Sequence, residues 1–389
     1  MPWREVSAVS LRQEFVTLAS APCANDSELC RRYGVSRFTG YKWLGRYGSE
    51  GAPGLADRSR RPLRSPGRTP AGVEAAVIEL RTAHPAWGAR KISARLLALG
   101  VERVPSPGTI TAILHRNGMP VGVDSAGRRD WHRFEHEAPN ILWQMDFKGH
   151  FALPSGRCHP LTVIDDHSRY SVGLEACSNE QGVTVRERLT GIFQRYGMPV
   201  RMLMDNGPPW GDDRESPHTP LTVWLMRLGV GVSHGRPYHP QTQGKDERFH
   251  RTLRVELLQG RAFHDIPSCQ RAFDRWRTVY NTERPHDALG LLTPASRYCP
   301  SPRSFPETIP PVEYGEGDQV RIVQAHGMIS FNSRRLRIGK AFRGQQVALR
   351  PTDIDGIWEV WFLTHHIAQV DLRQDATTIE SVSDVPEHV

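Results

Sequence analysis

The sequence predicts a multidomain protein: two N-terminal all-α units, a central α/β core with a mixed sheet, and a small C-terminal β-barrel. Its 389 residues exceed the roughly 250 at which single hydrophobic cores stop growing. Apolar residues recur at helical spacing before residue 125, whereas short strand-like runs follow residue 139. The segment 315–375 is rich in Val, Ile, Phe and Trp with repeated Gly, which is typical of a small barrel.

The first unit, residues 1–56, contains a predicted helix, tight turn and second helix between residues 25 and 47. Asn25 with Glu28 matches a capping box at the start of the first of these helices. Gly34 suits the left-handed residue of the turn, and Ser36 suits the cap of the second helix. The pattern resembles the helix-turn-helix of DNA-binding proteins, whose second helix enters the major groove. An ordinary helical hairpin is the alternative.

The second helix of this unit has a predicted outer and a predicted inner side. The candidate DNA contacts on its outer side are Arg37, Thr39, Lys42 and Arg46. The residues expected to pack inward are Trp43, Leu44 and Tyr47. Gly40 stands where an apolar residue is usual in such helices, which predicts loose packing.

A basic linker is predicted at residues 57–70, because arginines alternate there with prolines and a glycine. It holds three candidate DNA contacts: Arg58, Arg60 and Arg61. Such a segment can follow a DNA minor groove or remain merely solvated.

A second helix-turn-helix unit is predicted at residues 71–125. Ser106 and Pro107 suit the cap and the first-turn proline of its last helix. Thr109, in that first turn, is a further candidate DNA contact.

The net positive charge comes entirely from the front of the chain. Residues 1–138 hold 21 Lys and Arg against 13 Asp and Glu, a difference of +8, while the remainder is balanced at 29 against 29. Basic residues that contact phosphates release counterions and give sequence-independent affinity. The front of the chain is therefore expected to bind double-stranded DNA.

Several classes of protein are disfavoured by composition. No apolar stretch approaches the roughly 18 residues that span a bilayer, and the first 20 residues lack the apolar centre of a secretion signal. The six cysteines form no close pair of the kind that zinc or redox sites need, so free, buried thiols are expected. We expect a soluble protein of the cytoplasm.

The α/β core is predicted at residues 139–300. Strands are expected at 141–151, 161–165, 170–176, 200–205 and 230–234. Helices are expected at 183–196, 221–228 and 244–259. The resulting order, three strands and then alternating helices and strands, favours a mixed sheet.

Three acids of this core are candidate catalytic residues. Asp146 lies inside the first strand, where an acid is disfavoured unless it has a partner such as a metal ion. Asp205 lies where the fourth strand ends, the edge at which sites form in open α/β sheets. Glu247 lies in the first turn of the last core helix.

The helix of Glu247 has one polar and one apolar face. At 100° per residue, three basic residues fall within about 60° of Glu247 and are candidate DNA contacts: His250, Arg251 and Arg254. Lys245 is a further candidate contact. The separate apolar face is formed by Phe249, Leu253 and Leu257.

These motifs give the chain a recognisable resemblance. It looks like an insertion-sequence transposase of the DDE class, whose catalytic domain is shared with retroviral integrases. The resemblance rests on the two helix-turn-helix units, WQMDF at 143–147, DNG at 205–207, PQTQGKDERFH at 240–250, and YN with RPHDAL at 280–289. Two features depart from integrases: 41 residues (206–246) separate Asp205 from Glu247, and no His-His-Cys-Cys zinc module precedes the core.

The resemblance implies a fold and an activity. The core should be ribonuclease-H-like, with Asp146, Asp205 and Glu247 as ligands of two Mg²⁺ or Mn²⁺ ions. The protein should cleave element ends and join them to target DNA, as a homodimer or larger assembly in the nucleoid of a prokaryotic cell. Two alternatives stay open: a catalytically silent end-binding protein or repressor, and a nuclease that does not join.

Other acids compete with this set. Asp165 and Asp166 follow a strand and are expected to form a turn or an ion pair. Asp246 neighbours Glu247, but only Glu247 matches the family motif. Glu256, further along the helix, is expected to be exposed.

Overall fold

The computed structural model describes residues 7–59, 67–120, 135–211, 217–235, 244–373 and 379–381. The chain divides into two compact units, Met1–Arg68 and Thr69–Val389. Among the described residues, no helix combines the length and apolar character that crossing a membrane requires. Arg60, Arg61 and the first four residues of the PQTQGK motif lie outside the described residues.

The first unit contains α1 (Ala8–Ala19), α2 (Asp26–Arg32), α3 (Arg37–Glu50) and a 3-10 turn at Ala52–Leu55. The predicted cap and turn residues are confirmed, but only the Asn25 half of the predicted capping box is seen, and the Glu28 carboxylate pairs with Arg31. Asn25 caps α2 by accepting the N–H of Glu28, and Ser36 caps α3 by accepting the N–H of Thr39. Gly34, between the two helices, has φ +64°. The core of this unit consists of Phe15, Val16, Cys30, Trp43 and Leu55.

Two packing predictions for α3 are wrong. Gly40 is buried where α1 and α2 approach it, and an added Cβ would lie 2.6 Å from the Cys30 sulfur and 3.0 Å from the Phe15 ring. Glycine therefore permits close packing here instead of loosening it. Tyr47, expected to pack inward, is 37% exposed.

The second unit begins with α4 (Ala71–Ala83), α5 (Ala89–Ala98) and α6 (Pro107–Arg116), which bury a core around Val77, Ile92 and Ile113. Ser106 caps α6 and Pro107 is its first residue, as predicted.

The α/β core follows. Its strands are β1 (Leu142–Phe147), β2 (Phe151–Leu153), β3 (Gly156–Asp165), β4 (Ser171–Cys177), β5 (Arg201–Met204) and β6 (Gly231–His234). The sheet order is β2-β3-β1-β5-β6, with β4 paired to β3. β1 runs antiparallel to β3 but parallel to β5, so the sheet is mixed, as predicted. The single strand expected at 141–151 is two strands, separated near Gly149, whose φ is +85°.

Helices cover both faces of this sheet. α7 (Gly182–Tyr196) and α8 (Pro220–Arg227) share a hydrophobic cluster with Trp143 and Val163. α9 (Gly244–Leu253) and α10 (Ile266–Thr282) share another with Ile164 and Leu174. Neighbouring residues of β3 thus enter opposite clusters, because successive side chains of a strand point to opposite faces. A π-helical turn at Arg254–Leu258 follows α9, so the helix expected at 244–259 is not α-helical throughout.

The C-terminal region holds two antiparallel sheets. One contains β7 (Gln319–Ile322), β10 (Gln346–Pro351), β11 (Ile357–Phe362), β12 (His365–Asp371) and β13 (Ile379–Ser381), and the other pairs β8 (Met328–Phe331) with β9 (Arg334–Arg337). Neither sheet closes on itself within the described ranges, so the predicted small barrel is not confirmed. Phe342 and Phe362 belong to the same hydrophobic cluster as Trp224 of α8. The C-terminal region and the α/β core therefore share one hydrophobic core.

Candidate active site

Asp146 and Asp205 meet at one edge of the mixed sheet. Asp146 is the next-to-last residue of β1, and Asp205 directly follows β5. Because β1 and β5 are parallel neighbours, their carboxyl ends lie at the same edge.

The pKa of Asp146 reflects burial and the nearby charge of Asp205. Burial raises the pKa of Asp146 to about 6; the N–H of Phe147 opposes the rise, and the charges of Asp205 and Glu180 add to it. The Oδ1 atoms of Asp146 and Asp205 accept the N–H groups of Phe147 and Asn206 at 2.8 and 2.7 Å. These hydrogen bonds orient both carboxylates.

The turn that carries Asp205 is fixed to the next strand. The Asn206 side chain donates to the Gly235 carbonyl at 2.7 Å, and His234 Nδ1 lies 2.9 Å from the Asp205 carbonyl oxygen. Sequence reasoning missed the role of His234 here. The only signal for it was its position at the end of the neighbouring predicted strand.

Glu247 is placed differently. It lies in the first turn of α9 and its side chain is exposed, whereas Asp246, one residue earlier, is buried at 3% exposure. Within the described part of the chain, no three His, Cys, Asp or Glu side chains lie close enough together to hold a metal ion. The structure thus brings Asp146 and Asp205 together but does not gather Glu247 with them.

The inner side of α9 contacts the sheet through two residues predicted to bind DNA. His250 Nε2 lies 2.8 Å from Thr162 Oγ1, and its Nδ1 lies 3.9 Å from Asp146 Oδ2. Burial lowers the pKa of His250 to about 4. Lys245 forms an ion pair with Asp166, whose side chain is 1% exposed. Both side chains are engaged within the protein, so neither fits the predicted role as a DNA contact.

Arg251 and Arg254 are exposed, as expected of DNA contacts. Arg254, however, is the first residue of the π-helical turn, so the 100° register counted from Glu247 ends just before it. The prediction for Glu256 is wrong. Its carboxylate is largely buried and accepts from Arg284 Nε at 2.8 Å and from Trp276 Nε1 at 3.3 Å.

The two other acids have the structural roles predicted for them. Asp165 accepts the N–H groups of Asn140 and Ser168 at 2.7 and 2.8 Å, which closes the turn after β3. Asp166 accepts from the Gln144 side chain at 2.8 Å in addition to its ion pair with Lys245.

The helix-turn-helix candidates differ in how free they are. Arg37, Lys42 and Thr109 are exposed, with Lys42 Nζ over the Trp43 ring at 4.8 Å and the Thr109 hydroxyl 3.0 Å from Ser106 Oγ. Thr39 is half-buried, and its hydroxyl lies 3.0 Å from Ser36 Oγ. Arg46 lies over the Trp43 ring at 5.0 Å. Arg58, from the predicted linker, forms an ion pair with Glu50.

Models of known families match most of these regions. An integrase core domain matches residues 136–240, and a second integrase core model matches residues 228–294. A helix-turn-helix domain matches residues 12–62 and a homeodomain-like domain matches residues 39–114. The C-terminal domain of IS481-family transposases matches residues 318–378. The protein is therefore of the integrase-core class, with helix-turn-helix domains at its N-terminal side.

Individual relatives agree. The chain is 28% identical over 158 residues to the insertion element IS407 31.7 kDa protein of Burkholderia multivorans, covering 41% of this chain and 55% of that protein. It is 29% identical over 157 residues to the insertion element IS476 39.2 kDa protein of Xanthomonas euvesicatoria, covering 40% and 44%. The chain thus spans about half the length of these curated relatives.

Among solved structures, the HTLV-2 integrase catalytic core in complex with magnesium matches 42% of this chain and 99% of its own, at 15% identity and a TM-score of 0.32. The family models and the insertion-element relatives together confirm the resemblance seen in the sequence. The chain is thus similar to insertion-sequence transposases that have a retroviral-integrase-like core.

Proposed function

We propose that this protein binds the ends of its insertion element, cleaves their 3′ ends in a metal-dependent reaction, and joins them to target DNA. The observation that carries the proposal is the meeting of Asp146 and Asp205 at one edge of an integrase core. The helix-turn-helix domains support binding to double-stranded DNA, because such domains place a helix in the major groove.

Asp146 and Asp205 fit a divalent cation. Carboxylate oxygens are the hard ligands that Mg²⁺ and Mn²⁺ prefer. Burial, and to a smaller extent the charge of Asp205, raises the pKa of Asp146, and a bound cation would favour the charged form of both carboxylates. Glu247 is proposed to complete the set from α9. Two bound ions would stabilise the negative charge that develops on the entering and leaving oxygens of a phosphodiester.

The proposed reaction needs no covalent enzyme intermediate. A water oxygen forms a bond to phosphorus while the bond to the 3′ oxygen breaks, and that oxygen takes a proton to become a free 3′ hydroxyl. The hydroxyl then attacks a target phosphodiester, so one P–O bond forms as another breaks. Arg251 and Arg254, exposed beyond Glu247, are proposed to contact the flanking phosphates. Two ends must be joined together, so a homodimer or larger assembly is proposed.

Substitution of the three acids tests this proposal most directly. Asp146→Asn, Asp205→Asn and Glu247→Gln should each abolish cleavage and joining of a labelled element end, because each removes a charge that holds the cation. End binding should stay within about twofold, and Asp353→Asn, at an exposed acid of the C-terminal sheet, serves as the matched control. Substantial activity in any one variant would remove that residue from the site, and full turnover in a chelator would end the metal-dependent mechanism.

A catalytically silent end-binding protein is the second candidate. The exposed position of Glu247, apart from Asp146 and Asp205, favours it. The same assay separates the two candidates: the wild-type chain with Mg²⁺ or Mn²⁺ would give a bound complex but neither cleaved nor joined product.

A further inference from the structure

Asp246, one residue before Glu247, is a buried acid for which the proposed reaction gives no role. Its side chain is 3% exposed, and its Oδ1 has no hydrogen-bond partner among the residues that the structure describes. Leaving a buried polar atom without a partner destabilises a protein, and more so when the group is charged. This oxygen is therefore available to a group that is not part of the chain.

The neighbours of Asp246 on α9 show which way it faces. Residues four apart lie on the same side of a helix. His250, four residues after Asp246, has its Nδ1 3.9 Å from Asp146 Oδ2. Lys245, one residue before it, is paired with Asp166, whose N–H donates to the Leu142 carbonyl at the start of β1. The helix therefore presents Asp246 toward Asp146, while Glu247 is exposed.

A comparison with Asp165 argues against a purely structural role. Asp165 is equally buried, and its oxygens accept from Asn140 and Ser168 at 2.7 and 2.8 Å. A buried acid that serves only the fold is normally satisfied in this way. Asp246 instead leaves its Oδ1 without a partner in the described part of the chain, and it lies near enough to Asp146 and Asp166 for their charges to act on it.

We propose that Asp246 is a fourth carboxylate of the active site, which positions the divalent cation held by Asp146 and Asp205. Mg²⁺ usually keeps several of its waters in protein sites, and these waters are donors for nearby carboxylates. The unpartnered Oδ1 of Asp246 would accept such a bond. Asp246 is thus a positioning residue, acting through the cation and not on the DNA. This inference rests on the proposed function.

The test measures metal affinity in the full chain, without DNA. Asp246→Asn keeps the shape of the side chain, and Asp246→Ser keeps an acceptor oxygen without the charge. In both variants we expect the Mg²⁺ concentration that half-maximally raises the unfolding temperature to increase about 10- to 100-fold, as for other outer ligands of metal sites. Competition with Mn²⁺, followed by its paramagnetic resonance signal, should show the same loss. Asp353→Asn is the matched control.

The stability of the metal-free protein distinguishes positioning from structure. A positioning role predicts an unchanged or higher unfolding temperature in Asp246→Asn without Mg²⁺, because the substitution removes a buried carboxyl group whose Oδ1 no described residue satisfies. Unchanged Mg²⁺ affinity in both variants, with or without a lower unfolding temperature, would overturn the proposal. Wild-type activity separates the two levels. If wild type with Mg²⁺ neither cleaves nor joins an element end, the proposed function fails; if wild type is active and Asp146→Asn is not, while both Asp246 variants bind Mg²⁺ normally, only this inference fails.

Discussion

The helix-turn-helix of the first compact unit and that of the second begin their last helices in the same way. Ser36 accepts the N–H of Thr39 at 3.2 Å, and Ser106 accepts the N–H of Thr109 at 3.3 Å. A glycine with positive φ precedes each cap, Gly34 in the first unit and Gly100 in the second. The caps are therefore alike, but the connections differ in length, with four residues between α2 and α3 and eight between α5 and α6.

The surroundings of the two motifs differ. α3 exposes Arg37 and Lys42, whereas Arg116 at the end of α6 is paired with Glu74. α5 is also tied to the α/β core, because Arg95 pairs with Glu283 at 2.7 Å. The comparison shows that the same motif can have two different roles. We expect the first helix-turn-helix to dominate binding to the DNA ends of the element, and the second to connect bound DNA to the core.

The largest expected difference between the two units is in how much stability each loses at acidic pH. Residues 1–68 contain no histidine. In the second unit, burial lowers the pKa of His286 to about 3. Below about pH 6.5 the unfolded chain binds a proton that folded His286 does not. Stability therefore falls as pH drops from about 6.5 toward 3, by up to about 1.4 kcal/mol per pH unit.

Urea unfolding of wild type and His286→Asn from pH 7.5 to 4.5 checks this prediction. Asp146, whose pKa is raised, shifts stability in the opposite sense, so the difference between the two proteins isolates His286. The variant should lose less stability in acid than wild type, while His326→Asn, at an exposed histidine, should not. Identical pH profiles for wild type and His286→Asn would contradict the burial argument.

Matched glycine substitutions should have opposite effects in the two motifs. Gly40→Ala should destabilise the first unit by about 1–3 kcal/mol, because its methyl group would overlap the Cys30 sulfur at 2.6 Å. Gly108→Ala in α6 meets its nearest described atom only at 3.9 Å, so it should stabilise the helix by up to about 1 kcal/mol. Denaturant midpoints measure both. Cys30→Ala should partly rescue Gly40→Ala, and a neutral Gly40→Ala would show that the contact relaxes freely.

The smallest expected effect concerns phosphate contacts. Lys42→Ala should lower the slope of log affinity against log salt by about one unit, because one phosphate contact is lost. Arg116→Ala should leave that slope unchanged and affect only stability, since its guanidinium pairs with Glu74. Equal changes of slope in both variants would show that the two motifs share the DNA equally.

Sequence periodicity predicted the sheet well because the strands alternate between two buried faces. It did not bring Asp146 and Asp205 together, because that depends on β1 and β5 being parallel neighbours. It could not decide between Asp246 and Glu247. Adjacent residues differ by only 100° around a helix, so the choice depends on how α9 packs on the sheet. The buried pairing of Glu256 was equally hidden, since its partner Arg284 comes from beyond α10.

The hydrophobic cluster that runs from Trp224 into Phe342 and Phe362 bears on how this chain can be recombined. The integrase core model ends at residue 294 and the C-terminal domain model begins at residue 318, so the family models treat the two parts as separate domains. A chimera joined there would combine two halves of one interior whose side chains had not been selected to fit together. Exchange of C-terminal regions between related transposases should therefore succeed only when α8 is exchanged as well.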